Sequence, residues 1–328
     1  MRILITGSSG HLGEALIRML EKESYEIIAL DHKASDFTTH QGSITDPDFV
    51  RECMQGVDTV LHAATLHKPH VATHSKEEFV STNTMGTLNL LEAARKEGVK
   101  SFIFTSTTST FGDAMRPKAG EAAKWIDEQV VPQPKNIYGV TKTAAEDICQ
   151  LYHRNHQLPC LVLKTSRFFL EADDDKEKRD LYEDANIKAN EYLNRRVDIE
   201  DAAQAHILAI EKAEEIGFGK YIISATSPFK KEDLVDLNSD AAKVLNRIYP
   251  HFQKIYDSLG WKMFSQMGRV YVNEKARREL GWKPKRDFGY ILDCLQEGKE
   301  YRSELALKVG IKKYHDQVFE DGPYPVNE

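Results

Sequence analysis

The sequence TGSSGHLG at residues 6–13 places three glycines at G-x-x-G-x-x-G spacing directly after the apolar run at residues 3–5. The apolar residues that follow recur at helical spacing, so the glycines join a predicted strand to a predicted helix. In such a turn Gly7 permits the tight bend, Gly10 lets the backbone approach a pyrophosphate, and Gly13 lets the helix pack on the strand. The stretch therefore predicts a dinucleotide-binding turn, with a plain strand-turn-helix as the alternative. The other residues assigned to the turn are Ser9, His11 and Leu12.

A second apolar strand, at residues 27–30, ends in Asp31, about 20 residues beyond the glycines. At this place in a dinucleotide fold, a carboxylate accepts hydrogen bonds from the adenosine ribose and repels a 2′-phosphate. We therefore expect NAD rather than NADP as the cofactor. Lys33 is the nearby cation that argues for NADP, and an acidic turn former at the strand end is the alternative for Asp31.

The composition of the 328 residues, 41% hydrophobic and 29% charged, is typical of a soluble globular protein with about two domains. A net charge of −7 argues against nucleic acid or an anionic membrane as a partner. The four cysteines show neither metal-ligand spacing nor a disulfide pattern, which fits a reducing cytosol. We find no signal peptide before the first strand and no apolar stretch of bilayer length, and we expect a cytoplasmic protein.

Predicted strands alternate with predicted helices over the first half of the chain. This alternation predicts an α/β fold, a Rossmann-type doubly wound parallel sheet with helices on both faces. We expect residues 1–165 to form the NAD-binding domain and residues 166–328 to form a smaller, mostly helical substrate lobe. About residues 195–225 should return from that lobe to the sheet.

Ligands of such sheets bind beyond the carboxyl ends of the strands. This places residues 63–65, 106–109 and 165–167 along one cleft. The cofactor residues predicted in the cleft are Ala63, Ala64 and Thr65.

The segment IYGVTK holds Tyr138 and Lys142 four residues apart in a predicted helix, so both lie on one helix face. A phenol with an ordinary pKa of about 10 is a poor base at neutral pH. A nearby ammonium and an oxidised nicotinamide both favour the phenolate, so Tyr138 can take a proton from an alcohol. The pattern also occurs by chance on solvated helix faces, but here it follows a dinucleotide-binding turn.

A series of motifs recurs in one order along the chain: TGSSGHLG, Asp31, GSITD, LHAAT, NTMGTLNLLEAA, FTSTTSTFGD, YGVTK, RRVDIEDAAQAH and ARRELGWKP. In these motifs the sequence resembles the extended short-chain dehydrogenase/reductases, also called NAD-dependent epimerase/dehydratases. The resemblance covers most of the chain. It implies NAD as the cofactor and a small-molecule substrate, a sugar or a sugar-derived alcohol or carbonyl.

The resemblance also implies a catalytic triad. The family's Ser or Thr, four residues before an aromatic-Gly pair, falls on Thr107, with Ser106 as the fallback. Thr107 would hydrogen-bond the reacting oxygen and Tyr138 would transfer its proton. Lys142 would bind the nicotinamide ribose and lower the pKa of Tyr138. The alternative for Thr107 is a strand-end hydroxyl that satisfies a backbone group.

Three further positions are interpreted through the resemblance. Ser43 stands where the family often has an Asp that contacts the adenine amino group, so that contact is weakened or moved. Ile44 can still pack on the base. Asn83 matches a family Asn and is expected to anchor strand ends rather than to touch the substrate.

The residues after Thr107 limit the reaction type. In the family that this sequence resembles, members that dehydrate sugar nucleotides carry Thr-Asp-Glu at this position, because eliminating water needs an added acid and base. Thr108 and Ser109 supply no carboxyl group, which disfavours dehydratase and decarboxylase chemistry. The main hypothesis is alcohol/carbonyl redox with net NAD turnover, and the alternative is nucleotide-sugar epimerisation without net NADH. A non-catalytic NAD-sensing regulator and a scaffold stabilised by NAD are further alternatives, and the intact triad argues against the regulator.

The loop after the predicted fourth strand carries His67, Lys68, His70 and His74. A surface loop, a substrate contact and a metal site are the possible interpretations. No carboxylate or cysteine at ligand spacing joins the histidines, so we predict no metal. We assign His67 and His70 to substrate binding.

Arg167 stands where related epimerases place a substrate-contacting Asn, and Arg196 matches a family Arg. Arginine can bind a carboxylate or phosphate through two parallel hydrogen bonds, although Arg167 could instead pair with the acidic run at residues 171–180. The chain lacks the G-D-G hairpin with which the family that it resembles binds a nucleotide diphosphate. We therefore favour a small acidic sugar or sugar phosphate, bound more strongly as pH falls through the histidine range near 6.5.

The helices led by Asn83 and Tyr138 resemble the pair through which family members form two-fold dimers. Ile148, Leu151 and Tyr152 supply apolar residues at helical spacing there, so a homodimer is expected. The turn GPYP at residues 322–325 has no chemistry that we can assign.

Overall fold

The computed structural model describes residues 1–313, 315–317 and 319. The GPYP turn at residues 322–325 lies outside these described residues.

Parallel β-strands form the centre of the molecule. In chain order the strands are β1 (Arg2–Thr6), β2 (Glu26–Asp31), β3 (His40–Gln41), β4 (Thr59–His62), β5 (Ser101–Thr107), β6 (Lys124–Ile126), β7 (Cys160–Thr165), β8 (Phe218–Ile223) and β9 (Arg269–Tyr271). Within the described residues, seven of them build one sheet in the order β3-β2-β1-β4-β5-β7-β8, and every neighbouring pair is parallel. The predicted doubly wound α/β fold is confirmed.

Helices cover both faces of the sheet and form most of the C-terminal lobe. They are α1 (His11–Leu20), α2 (Pro47–Met54), α3 (Lys76–Phe79), α4 (Gly86–Glu97), α5 (Ile137–His156), α6 (Lys176–Leu181), α7 (Asp184–Glu191), α8 (Ile199–Ile216), α9 (Leu234–Leu237), α10 (Ala241–Ile248), α11 (Phe252–Leu259), α12 (Glu274–Glu279), α13 (Phe288–Gln296) and α14 (Glu304–Val309). A π-helical segment, Val80–Met85, runs directly into α4.

Side chains alternate across the sheet and divide its two cores. In β1, Ile3 and Ile5 face a core that α1 and α8 cover, whereas Leu4 faces the core beneath α2, α4 and α5. Strands that are buried on both faces are apolar at successive positions, as in the centres of β1, β5 and β7. The carboxyl ends of these strands open on one side.

The C-terminal half builds a separate apolar core from helical aromatic residues, among them Phe252, Tyr256 and Phe288. Ala123 belongs to the same core, and β6 pairs in parallel with β9. The segment around β6 therefore lies with the C-terminal lobe, although the predicted boundary places it in residues 1–165. The helix α8 and the strand β8 pack on the main sheet.

Within the part of the chain that the structure describes, no helix combines the length and the apolar character of a membrane span.

Candidate active site

A cavity of about 440 Å³ lies beyond the carboxyl ends of the central strands, between the sheet and the C-terminal lobe. It joins the glycine-rich turn to the ends of β4, β5 and β7. The sequence-predicted residues that line it are Gly7, Gly10, His11, Leu12, Gly13, Ala63, Thr65, His67, Ser106, Thr107, Tyr138 and Arg167.

The glycine-rich turn is built as a close-packed bend. Gly7 has a φ of +77°, and a side chain at Gly13 would place its Cβ 2.0 Å from the Gly7 carbonyl oxygen. Gly10 precedes α1, and no side chain caps this end of the helix. The absent side chains at these positions and the uncapped helix end fit the phosphates of a dinucleotide.

Asp31 ends β2 beside this turn but does not line the cavity. One carboxylate oxygen accepts the N–H (3.0 Å) and the hydroxyl (2.8 Å) of Ser9, and the other accepts the N–H of Lys33 (2.9 Å) and contacts the His32 ring (3.1 Å). Burial raises the pKa of Asp31, but these hydrogen bonds outweigh it and the pKa is lowered. The four acceptor positions of the carboxylate are thus occupied, and a ribose must displace one of these partners.

NAD should bind more tightly than NADP, by at least about tenfold, because the buried Asp31 charge faces any 2′-phosphate. Replacing Asp31 by asparagine should reduce the difference between the affinities for NAD and NADP. The same change at the exposed Asp48 should leave this difference as it is. Calorimetric titration of both dinucleotides measures the ratio. Equal affinities in the unmodified protein would contradict the assignment.

Three further predicted cofactor residues also lie outside the cavity lining. Ile44 is buried against Gly86, where an added Cβ would lie 2.6 Å from the Ile44 side chain, so its packing partner here is a helix rather than a base. Ser43 bonds to the hydroxyl of Thr45 at 2.8 Å. Ala64 packs its backbone on Gly7.

Thr107 and Tyr138 both line the wall of the cavity, and the Thr107 hydroxyl accepts the Ser109 N–H at 3.1 Å. Asn136 caps α5 by accepting the Gly139 N–H, which fixes the start of the helix that carries Tyr138. Burial raises the pKa of Tyr138 to about 12, and the neighbouring Thr107 side chain only partly opposes this. The expected lowering of the Tyr138 pKa is therefore not found in this structure, since desolvation penalises the phenolate.

Lys142 lies one turn after Tyr138, but it is buried behind the lining instead of projecting into the cavity. Its ammonium donates to the Thr105 carbonyl oxygen at 2.7 Å and lies 4.0 Å from the centre of the Phe104 ring. Burial lowers the pKa of Lys142 to about 7, against the opposing charge of Glu146.

Ser106, the fallback hydroxyl, lines the cavity but is bonded to a residue outside the triad. Its hydroxyl donates to the buried Glu146 carboxylate at 2.5 Å. A substrate contact of Ser106 stays a prediction.

Arg167 lines the cavity but is already paired with carboxylates. Its guanidinium binds Asp173 at 2.8 Å and Asp174, and Asp174 also accepts from Lys68 at 2.7 Å. The acidic run therefore neutralises the charge on which the acidic-substrate hypothesis depended. Of the two interpretations offered for Arg167, the structure shows the ion pair.

Arg196 is buried away from the cavity. It binds Glu191 and donates to the Phe169 carbonyl oxygen at 2.7 Å. Its predicted role in substrate binding is wrong, because the side chain holds the lobe together. Its neighbour Arg195 lines the cavity instead, paired with Asp173 and Glu191.

His67 packs its ring beside Tyr138 and Phe169, with centroids 6.3 Å and 5.9 Å away. Burial, then the neighbouring cations, lower the pKa of His67 well below its ordinary value. This buried imidazole cannot strengthen anion binding near pH 6.5, as the sequence had suggested. His70 lies outside the lining, and its Nδ1 accepts the His67 N–H at 2.8 Å. Among the described residues, no group of three His, Cys, Asp or Glu side chains could hold a metal ion.

Asn83 anchors the strand ends as predicted. Its amide oxygen accepts from the Thr65 hydroxyl (2.9 Å) and the Leu66 N–H (2.8 Å), and its amide nitrogen donates to the Thr141 hydroxyl (3.1 Å). The π-helical segment that carries Asn83 is thereby tied to both β4 and α5.

Glu146 is the principal site residue that the sequence analysis missed. It binds Ser106, Lys164 and Lys220 within the protein. Its position four residues after Lys142 on the same helix face was the signal that could have found it.

The family model for the NAD dependent epimerase/dehydratase family matches residues 3–223, more than half of the chain. The chain belongs to the NAD-dependent epimerase/dehydratase family. NAD is the cofactor of this family, and its characterised members are enzymes.

Curated relatives of this family member differ in the reaction that their names give. GDP-mannose 3,5-epimerase 1 from Oryza sativa subsp. japonica is 30% identical over 171 residues, which cover 49% of this chain and 45% of that protein. The NAD-dependent glucose-6-phosphate dehydrogenase from Haloferax volcanii is 28% identical over 174 residues, 48% of this chain and 64% of that protein. The chain thus spans about half the length of the first of these relatives.

A short-chain dehydrogenase/reductase superfamily protein from Agrobacterium tumefaciens, crystallised with bound NAD, shares the fold with a TM-score of 0.64. The comparison covers 91% of this chain and 98% of that one at 19% sequence identity.

Proposed function

We propose that this family member is an NAD-dependent oxidoreductase that interconverts a sugar-derived alcohol and its carbonyl, with Thr107, Tyr138 and Lys142 as its catalytic residues. The observation that carries the proposal is that Thr107 and Tyr138 line the wall of one cavity that also includes the glycine-rich turn. A non-catalytic NAD sensor has no need for this proton-transfer pair.

In the oxidation direction, the substrate hydroxyl lies against Thr107 and Tyr138. The O–H bond breaks and its proton passes to the Tyr138 oxygen, while the carbinol C–H bond breaks and the C=O bond forms. NAD, when bound, accepts the hydride and contributes a positive charge that favours the phenolate. Lys142 adds its charge from behind the lining, through the Thr105 carbonyl that it holds. Reduction reverses each step.

We place an acidic group of the substrate at a different part of the cavity from the one predicted from the sequence. Of the cations around the cavity, Arg167, Arg195 and Lys68 are paired with carboxylates. Within the described residues no carboxylate pairs with Arg116, Lys135 or Arg269, which line the wall on the side of the C-terminal lobe. An acidic group on the substrate is therefore best accommodated at this wall.

Arg269 has the firmest support within this wall. It lies in β9, its guanidinium lies 5.6 Å from the centre of the Tyr271 ring, and its Nε is buried without a hydrogen-bond partner among the described residues. The Tyr271 hydroxyl contacts the Met115 sulfur at 2.9 Å, which holds the ring in place. An unsatisfied buried donor beside a fixed ring suits a carboxylate or phosphate oxygen.

Replacing Arg269 by glutamine should raise KM about tenfold or more for a sugar acid or sugar phosphate and leave the neutral sugar unchanged, because a charge-assisted bond is lost. Uronates, aldonates, sugar phosphates and neutral sugars are screened by NADH absorbance. Lys124→Gln, on the neighbouring strand β6, is the matched control and should behave like the unmodified protein. Equal losses for charged and neutral substrates would refute the assignment of the wall.

Nucleotide-sugar epimerisation is the second candidate, and a specific observation favours it. A further cavity of about 320 Å³ shares Asp175, Lys178, Arg195 and Arg269 with the first, so a ligand larger than one sugar can extend across this boundary. Epimerised product from a nucleotide sugar without net NADH would select this candidate.

We also propose a homodimer through the π-helical segment and α5, in a cytoplasmic protein whose four cysteines are buried and unpaired. Val80, Met85, Val140 and Leu151 expose 39–47% of their surface there. Tyr152, predicted to join this surface, is instead buried and donates to Glu92.

Light scattering at micromolar concentration should give twice the chain mass of 37.3 kDa. Val140→Glu should shift the protein to monomer, because a carboxylate would be desolvated in the interface. Val235→Glu, at a more exposed apolar position in the other lobe, should remain dimeric. A monomeric unmodified protein would count against the proposal.

A further inference from the structure

The end of β5 is tied to α5 by two successive hydrogen bonds. The Thr105 carbonyl accepts from Lys142 and the Ser106 hydroxyl donates to Glu146, while Thr107 lines the cavity wall together with Tyr138. Tyr138, Lys142 and Glu146 are four apart, so they form one stripe along α5. Two residues of this stripe are proposed catalytic residues, and Glu146 is the third.

Glu146 is fully buried and multiply bonded. Its carboxylate accepts from Lys164 in β7 at 2.5 Å and 2.7 Å, from Ser106 at 2.5 Å, and faces Lys220 in β8 at 3.1 Å. One carboxylate thereby joins α5 to the three neighbouring strands β5, β7 and β8. Its charge, placed one turn from Lys142, stabilises the ammonium against burial.

We propose that Glu146 is a positioning residue for the proton transfer: it fixes Thr107 and Lys142 relative to Tyr138 and sets the charge balance of the Tyr138–Lys142 pair. This inference rests on the proposed function, but it concerns a residue that does not line the cavity. Glu146 acts on the substrate only through Lys142 and Thr107.

The charge balance around Tyr138 and Lys142 is set by Glu146 and the lysines bound to it, and the other titratable groups nearby contribute little. On α5 these are Cys149, whose pKa burial raises well above its ordinary value, and the exposed Asp147, which faces Lys220. From the β4 side, burial lowers the pKa of His62 and of His67 well below the ordinary value, so both are neutral near pH 7.

The pH profile of oxidation tests this electrostatic role. Turnover in the oxidation direction rises with pH as Tyr138 gives up its proton, because the phenolate accepts the proton of the substrate hydroxyl. Glu146→Gln removes a negative charge and should move this rise to lower pH by about one unit. Lys164→Gln removes a positive charge and should move it to higher pH. Both variants break the ion pair between Glu146 and Lys164. A purely structural role of Glu146 would therefore not move the two pH profiles in opposite directions.

Glu279→Gln is the matched control, since Glu279 accepts a hydrogen bond from Tyr221 on the distal strand β8 and should leave the profile unchanged. Thermal melting confirms folding, and if Glu146→Gln does not fold, Lys164→Gln alone still decides. Displacement of both profiles in one direction, or of neither, overturns the role of Glu146. Absence of turnover in the unmodified protein, with NAD still bound, would instead refute the proposed function.

Discussion

Replacing Tyr138 by phenylalanine should lower turnover by about a hundredfold or more, because the proton of the substrate hydroxyl loses its acceptor. The ring should keep its position, since Tyr138 is buried at the wall and packs beside His67. NAD affinity should therefore change little. Steady-state kinetics with the best substrate of the screen and calorimetry with NAD measure the two effects separately.

The matched comparison is Tyr182→Phe, which removes the same hydroxyl from a ring in the C-terminal lobe. This variant should retain normal turnover. Near-normal activity of Tyr138→Phe would show that another group transfers the proton, and a parallel loss of NAD binding would point to a structural role for the ring.

Replacing Gly13 by alanine should abolish NAD binding and lower the free energy of unfolding by about 1–3 kcal/mol or more. The new Cβ would lie 2.0 Å from the Gly7 carbonyl oxygen and 2.8 Å from the Ser8 Cα, and backbone atoms cannot rotate away as side chains do. The helix α1 must then move off the turn. Urea denaturation and NAD titration report the two losses.

Gly10→Ala separates these two effects. Its Cβ would approach the Gly7 carbonyl oxygen only to 3.2 Å, but it would project where Gly10 lines the cavity. The protein should therefore keep most of its stability and still lose NAD affinity. An undisturbed Gly13→Ala protein would mean that α1 does not need its close contact with the turn.

The sequence contained enough information for the main sheet because its elements follow local rules. Apolar strands, a glycine-rich turn and helical spacing each depend on neighbouring residues, and these placed Gly7, Gly13, Thr107 and Tyr138 on one cavity wall. Asn83 was also interpreted correctly, from its match to the family position.

Charge pairing could not be predicted in the same way. The roles of Arg167 and Arg196 depend on where Asp173 and Glu191 lie after folding, and nothing in their spacing shows which carboxylate each guanidinium meets. Burial is likewise a property of the whole molecule, so the altered pKa of His67 was not visible from residue type.

Whether a side chain lines a cavity or lies behind its lining is a further property that sequence motifs do not predict. Y-x-x-x-K places Tyr138 and Lys142 on one helix face, but it does not say that the first lines the cavity and the second bonds to a strand carbonyl. Asp31 shows the same limit, because its carboxylate is held by Ser9 within the turn.

The pairing of β6 with β9 bears on how the chain is made. A ribosome releases β6 long before β9, so the face of the Ala123 segment that packs in the C-terminal core has no native cover during most of synthesis. A cut anywhere between residues 126 and 269 separates the two strands of this small sheet, so each product lacks one of them. Separate expression of residues 1–165 should therefore yield an aggregation-prone fragment, whereas co-expression with the remainder can restore the missing partner.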